Sequence, residues 1–127
     1  MIVLLMMASA WAQSPDIQVD LHLDTPTQMF TKGLHLDSPT GLEAGISQLT
    51  AGKTNVVVEV LWPPRKSDHR RRAFDLLGLV EAEVARSERL VLAREPSGAR
   101  DAVAAGKIAV LLSMEGAHGL GLSLIHI

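Results

Sequence analysis

Two nearly continuous apolar runs constrain the fold of this chain more than any other feature. Residues 54–62 (TNVVVEVLW) and 108–114 (IAVLLSM) are short and rich in aliphatic side chains. Such runs are typical of strands that are covered on both faces, as in a parallel sheet. Helical patterns are predicted over residues 40–52, 67–89 and 96–105, and further short strands over residues 17–24 and 90–93. Thr25-Pro26 predicts the end of the first strand and a loop up to Thr40, where a capping box begins the first helix, and Ser67 is the predicted cap of the second. Strands that alternate with helices predict parallel βα units.

The length of the chain decides how much of such a fold it can hold. It has 127 residues, of which 47% are hydrophobic and 20% are charged, and this predicts a single globular domain. A closed (β/α)8 TIM barrel needs roughly 250 residues, so the chain would hold only the first three or four βα units. A complete small doubly wound domain is the alternative, but it needs more strands than these patterns predict.

Composition and missing motifs exclude several classes of function. The absence of cysteine excludes disulfides, thiolate nucleophiles and cysteine-based zinc sites. A net charge of −2 gives no overall attraction to nucleic acid or to an anionic membrane. The sequence has neither a glycine-rich phosphate loop nor a Gly-x-Ser-x-Gly motif. A basic cluster without interleaved aromatic residues, interpreted as a solvated face, comprises Arg65, Lys66, Arg70, Arg71 and Arg72.

Both ends of the chain carry segments that differ from the predicted fold. Residues 1–12 form an apolar run ending in Ala10-Trp11-Ala12, which predicts a signal peptide and export to the periplasm or the cell exterior. The run lacks a basic start, which indicates an abbreviated or incomplete leader; a buried strand or helix is the alternative. Residues 122–127 (LSLIHI) are encoded by CTGTCTCTTATACACATC, a transposase mosaic end used in sequencing libraries, so we expect them to be adapter-derived. Residues 13–121 then carry the fold.

The first predicted strand carries three ionisable side chains. Residues 17–24 alternate between apolar and polar, so Asp20, His22 and Asp24 are predicted to share one face. A histidine and a carboxylate two residues apart can converge on one metal ion, and parallel α/β folds form their sites at the carboxyl ends of strands. The sequence therefore predicts a metal site at His22 and Asp24, with a solvated strand face as the alternative.

A near-copy of this motif lies thirteen residues later. Leu34-His-Leu-Asp-Ser-Pro-Thr40 resembles Leu21-His-Leu-Asp-Thr-Pro-Thr27, but no alternating strand precedes the second copy. We therefore favour His22 and Asp24 as metal ligands. His35 and Asp37 are interpreted as loop residues near the mouth of the site.

Later strands carry further candidate residues. Glu115 ends an apolar strand and precedes Gly-Ala-His-Gly, a turn suited to close backbone approach. Its carboxylate can bridge two cations or act as a base, or it can simply be solvated. His118 either lines the pocket or is a loop histidine without a role. Glu59 interrupts an apolar strand, and because a buried carboxyl needs a partner, we predict a hydrogen-bonding role inside the barrel rather than catalysis.

Two of these motifs together resemble a known family. Val19-Asp-Leu-His-Leu-Asp-Thr25 and Ser113-Met-Glu-Gly-Ala-His118 are similar in order and spacing to motifs of the membrane dipeptidase (renal dipeptidase) family of zinc metallopeptidases. Residues 41–52 and Trp62-Pro63 are also similar, so the resemblance covers most of residues 17–121. Leu21 and Leu23 depart from it, because the family often has glycine and asparagine around the first-strand histidine. The resemblance therefore does not specify the substrate preference.

The resemblance implies a (β/α)8 barrel of the amidohydrolase type with two zinc ions. His22 and Asp24 would bind one zinc ion, and Glu115 would bridge both. The remaining zinc ligands would be two histidines on later strands, beyond the end of this chain. The implied reaction is hydrolysis of a dipeptide by a hydroxide that bridges the two metals, and the full-length protein could form a homodimer. Residues 13–121 alone are expected to be inactive.

Two alternatives remain open from the sequence. One is another amidohydrolase-type binuclear metal hydrolase, although such enzymes usually carry His-x-His on the first strand, where this chain has Asp24. The other is a noncatalytic exported α/β binding domain, in which His22 and Asp24 are surface residues. Two further strand-end histidines beyond Gly121 would favour an enzyme.

Overall fold

One parallel sheet organises the chain. The computed structural model describes residues 16–64 and 68–121. Its sheet has the order β1-β2-β4-β3, and every strand pair is parallel. The strands are β1 (Val19–Leu23), β2 (Val56–Leu61), β3 (Leu90–Leu92) and β4 (Ile108–Met114). The predicted mixed α/β fold with a parallel sheet is confirmed, whereas the predictions for residues 1–12 and 122–127 lie outside the described residues.

Helices connect the strands. They are α1 (Thr25–Lys32), α2 (Ile46–Ala51), α3 (His69–Arg86) and α4 (Pro96–Ala104), and a 3-10 helix (Ala117–Leu120) follows β4. The described ranges contain no helix with the length and apolar character needed to span a bilayer. The predicted strand 108–114 agrees with β4 to the residue, and the predictions for 90–93 and 96–105 differ from β3 and α4 by one residue.

Thr25-Pro26 predicts the end of a strand and a following loop, but in the structure these two residues begin helix α1. That interpretation is wrong: proline lacks only an N–H that the first helical turn does not use, so Pro26 is compatible with a helix start. The helix ends at Gly33, whose φ of 64° is left-handed and whose N–H donates to the Met29 carbonyl. The chain therefore enters a helix directly after β1.

The predicted starts of the next two helices also need correction. The capping box at Thr40 does not form, because α2 begins only at Ile46, and the main-chain N–H of Glu43 donates to the Gln28 side chain at 3.4 Å. In α3 the N-cap is Asp68, whose carboxylate accepts from the Arg71 N–H at 3.1 Å. The predicted cap, Ser67, lies outside the described residues.

The two faces of the sheet pack against different helices. Val57 and Val110 belong to a cluster with residues of α1, α2 and α3, whereas Val56 and Ala109 pack against α4. Because successive strand residues point to opposite faces, α3 and α4 lie on opposite sides of the sheet. The register pairs Val56 with Ala109 near the amino ends of both strands, so α4 covers that end of its face.

A β-bulge shifts the pattern of β1. Asp20 pairs with Val57 and Leu23 pairs with Glu59, so three steps along β1 match two along β2. Asp20 and Leu23 consequently lie on the α3 side of the sheet, and His22 faces the other way. The prediction that Asp20 and His22 share a face is therefore wrong. The Asp20 carboxylate instead accepts from the His22 main-chain N–H at 3.0 Å, inside the bulge.

Glu59 lies between the sheet and the helices. The Glu59 side chain lies on the same face of β2 as Val57 and Leu61, and it is 0% exposed. Within residues 16–64 and 68–121, neither of its carboxyl oxygens has a hydrogen-bond partner. The predicted hydrogen bond to Glu59 is therefore not formed among these residues, and its place inside a barrel stays a prediction. Burial raises the pKa of Glu59 from its ordinary 4.5 to about 8. The nearby Thr25 hydroxyl lowers this pKa, although it is not placed to form a hydrogen bond with Glu59. The negative charges of Asp20 and Asp24 raise the pKa further.

This raised pKa predicts a specific dependence of stability on pH. Between pH 4.5 and about 8 the unfolded chain loses the Glu59 proton while the folded protein keeps it. Folding stability should therefore fall across this window, by at most about 1.4 kcal/mol per pH unit, and level off above it. We expect Glu59→Gln in the full-length protein to remove this pH dependence. The free energy of unfolding of the variant, relative to that of the wild type in urea, should therefore increase from pH 5 to pH 8. An advantage that stays constant with pH would contradict the prediction.

Candidate metal centre

Three potential ligands meet at the carboxyl end of the sheet. His22 is the fourth residue of β1, Asp24 directly follows β1, and Glu115 directly follows β4. The Nε2 atom of His22 lies 3.7 Å from Asp24 Oδ1 and 3.4 Å from Glu115 Oε2. One ligand atom from each residue lies within 4.8 Å of the other two. The fold thus brings together residues that are more than ninety positions apart in the sequence.

These separations can be compared with those around a metal ion. Zinc binds nitrogen and oxygen ligands at about 2.0–2.2 Å, so two ligands of one tetrahedral ion stand about 3.4 Å apart. Direct hydrogen bonds between such groups are shorter, at about 2.7–3.2 Å. The 3.4 Å and 3.7 Å separations fit ligands that share one cation, and they equally fit ion pairs between His22 and the two carboxylates. This donor set is suited to zinc, because imidazole nitrogen and carboxylate oxygen are both ligands that zinc accepts.

The three side chains are open to an incoming ion. The His22 side chain is 57% exposed, and those of Asp24 and Glu115 are each 52% exposed. Asp24 occupies the N-cap position of α1, yet its side chain makes no capping hydrogen bond. Two carboxylates converge on one imidazole here, and a cation would offset their mutual repulsion. The cluster is thus accessible to a divalent metal, to water and to substrate.

The main chain fixes the position of Glu115. Its N–H donates to the Leu61 carbonyl at 3.2 Å, one step beyond the last paired residues of β2 and β4. Because β2 lies between β1 and β4, this bond sets the position of Glu115 relative to the strand that carries His22.

His118 does not join the three ligands. Its Nε2 atom lies 3.0 Å from the Pro63 carbonyl oxygen, and its ring packs edge-on against His69, with centroids 4.7 Å apart. Glu59 lies on the opposite face of the sheet from His22. Of the candidates from the sequence, the structure therefore brings together His22, Asp24 and Glu115.

The near-copy at His35 and Asp37 lies at the other end of the sheet. His35 Nδ1 donates to Glu83 at 2.8 Å, and Asp37 accepts from Arg86 at 3.1 Å. Glu83 and Arg86 belong to the last turn of α3, which leads back to the amino ends of the strands. These two residues are in a loop, as predicted, but the prediction that they lie near the mouth of the site is wrong.

Sequence reasoning missed the contact between Asp20 and the main chain of His22. The segment Val19-Asp-Leu-His-Leu alternates without interruption, so no signal in it reveals an extra residue. A bulge depends on the partner strand, which a local pattern does not specify. The extra residue turns His22 away from Asp20 and towards the face on which Glu115 lies.

Comparison with known proteins adds one finding. The family model described as membrane dipeptidase (peptidase family M19) matches residues 12–127. No curated protein matches the chain. The matched range contains β1, β4 and all three clustered residues.

Proposed function

Because this chain belongs to the membrane dipeptidase family, peptidase family M19, we propose that it is the N-terminal part of a zinc-dependent dipeptidase. The family is one of metallopeptidases, so hydrolysis of a peptide bond is the class of reaction. The finer assignment, to zinc and to dipeptides, is the proposal. The cluster of His22, Asp24 and Glu115, with ligand atoms within 4.8 Å of one another, is the observation that carries it.

Each residue of the cluster has a distinct role in the proposed site. His22 donates a neutral nitrogen through Nε2, and Asp24 donates a carboxylate oxygen from the start of α1. Glu115 faces both from the other side of β2 and has two oxygens, so it can contact two cations or accept a proton from water. We propose it as the catalytic carboxylate. Bound zinc would polarise the scissile carbonyl and lower the pKa of water towards neutrality.

The complete site requires more ligands than these three. We propose a second zinc ion and a (β/α)8 barrel, with the remaining ligands on strands outside this chain. Two observations support this: the four strands of residues 16–64 and 68–121 are parallel, and the cluster lies at the carboxyl ends of β1 and β4, where barrel enzymes form their sites. The segment 13–121 alone is proposed to be inactive, and the leader 1–12 is proposed to direct export.

The alternatives from the sequence have less support. A noncatalytic binding domain does not account for a match to a peptidase family over residues 12–127. A hydrolase acting on lactones or phosphotriesters would usually carry a second histidine in place of Asp24. The carboxylate at Asp24 therefore favours the peptidase.

Removal of the metal tests the proposal directly. We expect the purified full-length protein to contain zinc, to hydrolyse dipeptides, and to lose this activity on dialysis against a chelator. Activity should return on addition of Zn²⁺, because the ion supplies the Lewis acid that no side chain of the cluster provides. The measurement is turnover of a dipeptide together with the metal content per chain.

A matched pair of variants makes this test specific. His22→Leu should prevent recovery with Zn²⁺, whereas His35→Leu should not, because His35 contacts Glu83 at the other end of the sheet. Full turnover in the chelated protein, or equal recovery in both variants, would contradict the proposal.

A further inference from the structure

His118 links the loop after β4 to the end of β2. Its Nε2 atom lies 3.0 Å from the Pro63 carbonyl oxygen, and because a carbonyl oxygen only accepts, Nε2–H donates. The imidazole is half-buried and packs edge-on against His69 at the start of α3, with an interplanar angle of 75°. The ring is therefore held by β2 on one side and by α3 on the other.

The loop backbone is shaped around this ring. Gly116 has a φ of 85°, which favours glycine, and a Cβ atom on it would overlap the His118 imidazole. Gly119 is buried, and a Cβ atom there would lie 2.7 Å from the Met114 side chain and 3.1 Å from that of Pro63. Both glycines thus permit a close approach, one to the ring and one to the proline that accepts its hydrogen bond.

Glu115 lies at the start of this loop and has a separate bond to the same segment. The Leu61 carbonyl accepts from the Glu115 N–H at 3.2 Å, and the Pro63 carbonyl accepts from His118. Glu115 and His118 therefore both donate to the segment at the end of β2, one to Leu61 and the other to Pro63. The first bond fixes the position of Glu115, and the second restrains the direction in which the chain leaves it.

We propose that His118 is a positioning residue that holds Glu115 in its place opposite His22. This inference rests on the proposed function, because it concerns the metal site of that function. His118 acts through the loop: its bond to Pro63 keeps Gly116 in its left-handed conformation, and this conformation orients the Glu115 carboxylate. Without the bond, the loop can rotate about Gly116, and the 3.4 Å separation between Glu115 and His22 is no longer maintained.

Variants of His118 in the full-length protein test this inference. His118→Leu removes the donor, whereas His118→Gln places an amide N–H at nearly the same distance from the main chain as Nε2. His118→Asn is polar but too short to reach Pro63. We expect zinc affinity, measured by competition with a chelating dye, to fall about 10–100-fold in the Leu and Asn variants and to be largely restored in the Gln variant. The kcat should fall with it, and KM should change little.

A control separates positioning from general loss of structure. His35→Leu removes another histidine hydrogen bond, to Glu83, far from the cluster. We expect it to lower the midpoint of unfolding without changing zinc affinity. If the Leu variant of His118 does not fold, the comparison of the Asn and Gln variants decides. Equal zinc affinity in the wild type and the Asn variant would overturn the inference, as would failure of Gln to restore it.

Gly116 provides an independent check. Gly116→Ala should weaken zinc binding, because its Cβ atom displaces the His118 ring and because alanine disfavours a φ of 85°. In a His118→Ala background only the second effect remains, so the same change should have a smaller effect. Strictly additive effects would overturn the inference.

Failure of the inference can be distinguished from failure of the proposed function. If the wild-type protein binds zinc but hydrolyses no dipeptide, the proposed activity is wrong, and the zinc affinities of the variants still decide the role of His118. If the wild type binds no zinc, both are overturned. If the wild type is an active zinc dipeptidase and His118→Asn matches it in zinc affinity and kcat, only the role of His118 is overturned.

Discussion

Replacing Glu115 with glutamine in the full-length protein is expected to lower kcat for dipeptide hydrolysis by about 10²–10⁴-fold, the range for loss of a positioned acid–base group. The substitution keeps the size of the side chain and removes its negative charge. It also replaces one carboxylate oxygen with an amide that donates, so the side chain could no longer contact two cations as proposed. Steady-state kinetics with a dipeptide, together with zinc content per chain, measures both consequences.

The control for this prediction is another exposed glutamate, away from the cluster. Glu88 is exposed and lies in the turn before β3, at the amino end of the sheet. Glu88→Gln should leave kcat and zinc content unchanged. Retention of wild-type kcat by Glu115→Gln would show that Glu115 does not carry the chemistry assigned to it.

Replacing Glu83 with alanine is expected to destabilise the protein by about 3 kcal/mol. The Glu83 side chain is only 4% exposed, and its carboxylate accepts from His35 Nδ1, from the Leu36 N–H and from Arg86. Its removal leaves the N–H of buried Leu36 without this acceptor and frees the loop after α1 from α3. Urea unfolding of the full-length protein at neutral pH measures the loss.

The pH dependence of this effect has a defined sign. Burial by itself would raise the pKa of Glu83, but the hydrogen bonds from His35, Leu36 and Arg86 lower it below its ordinary 4.5. The stabilisation is therefore present above pH 4.5 and is lost as the pH falls through the lowered value. The difference between wild type and Glu83→Ala should accordingly shrink in acid.

A comparison with Asp37→Ala shows which part of this network matters. Asp37 joins the Glu83 network through an ion pair with Arg86, in which both side chains are exposed. Removal of the Asp37 carboxylate should therefore destabilise the protein by less than about 1 kcal/mol. Neither variant should alter zinc affinity, because the network lies at the opposite end of the sheet from His22. A change in zinc affinity in Glu83→Ala would show that the second His-Leu-Asp motif contributes to the site.

The local pattern of apolar residues predicted the bounds of a strand correctly where the strand lies between neighbouring strands. The strand 108–114 is apolar except for Ser113 and lies between β2 and β3 in the sheet, so its apolar pattern reflects neighbours on both sides. The start of α1 was missed because Thr25-Pro26 is equally compatible with the end of a strand and the first turn of a helix. The capping box at Thr40 was a valid local signal, but the Glu43 N–H pairs with Gln28 instead.

The site residues could be selected from the sequence, but their geometry could not. His22, Asp24 and Glu115 stand at strand ends that hydrophobic patterns locate, and their chemistry follows from residue type. The bulge at Asp20 and the burial of Glu59 depend on the register of β1 against β2. Register is a relation between two strands, so neither strand specifies it alone.

The sequence by itself determined the parallel α/β class, the position of β4 and the three residues that cluster at the end of the sheet. Only the tertiary structure decided that His22 faces Glu115, that His118 turns to Pro63, and that the second His-Leu-Asp motif contacts the last turn of α3. The physical reason is that apolar periodicity records how deeply a residue is buried, whereas the identity of its neighbours depends on which strands and helices pack together. The same tripeptide, His-Leu-Asp, therefore joins a candidate metal site in one place and a salt-bridge network in the other.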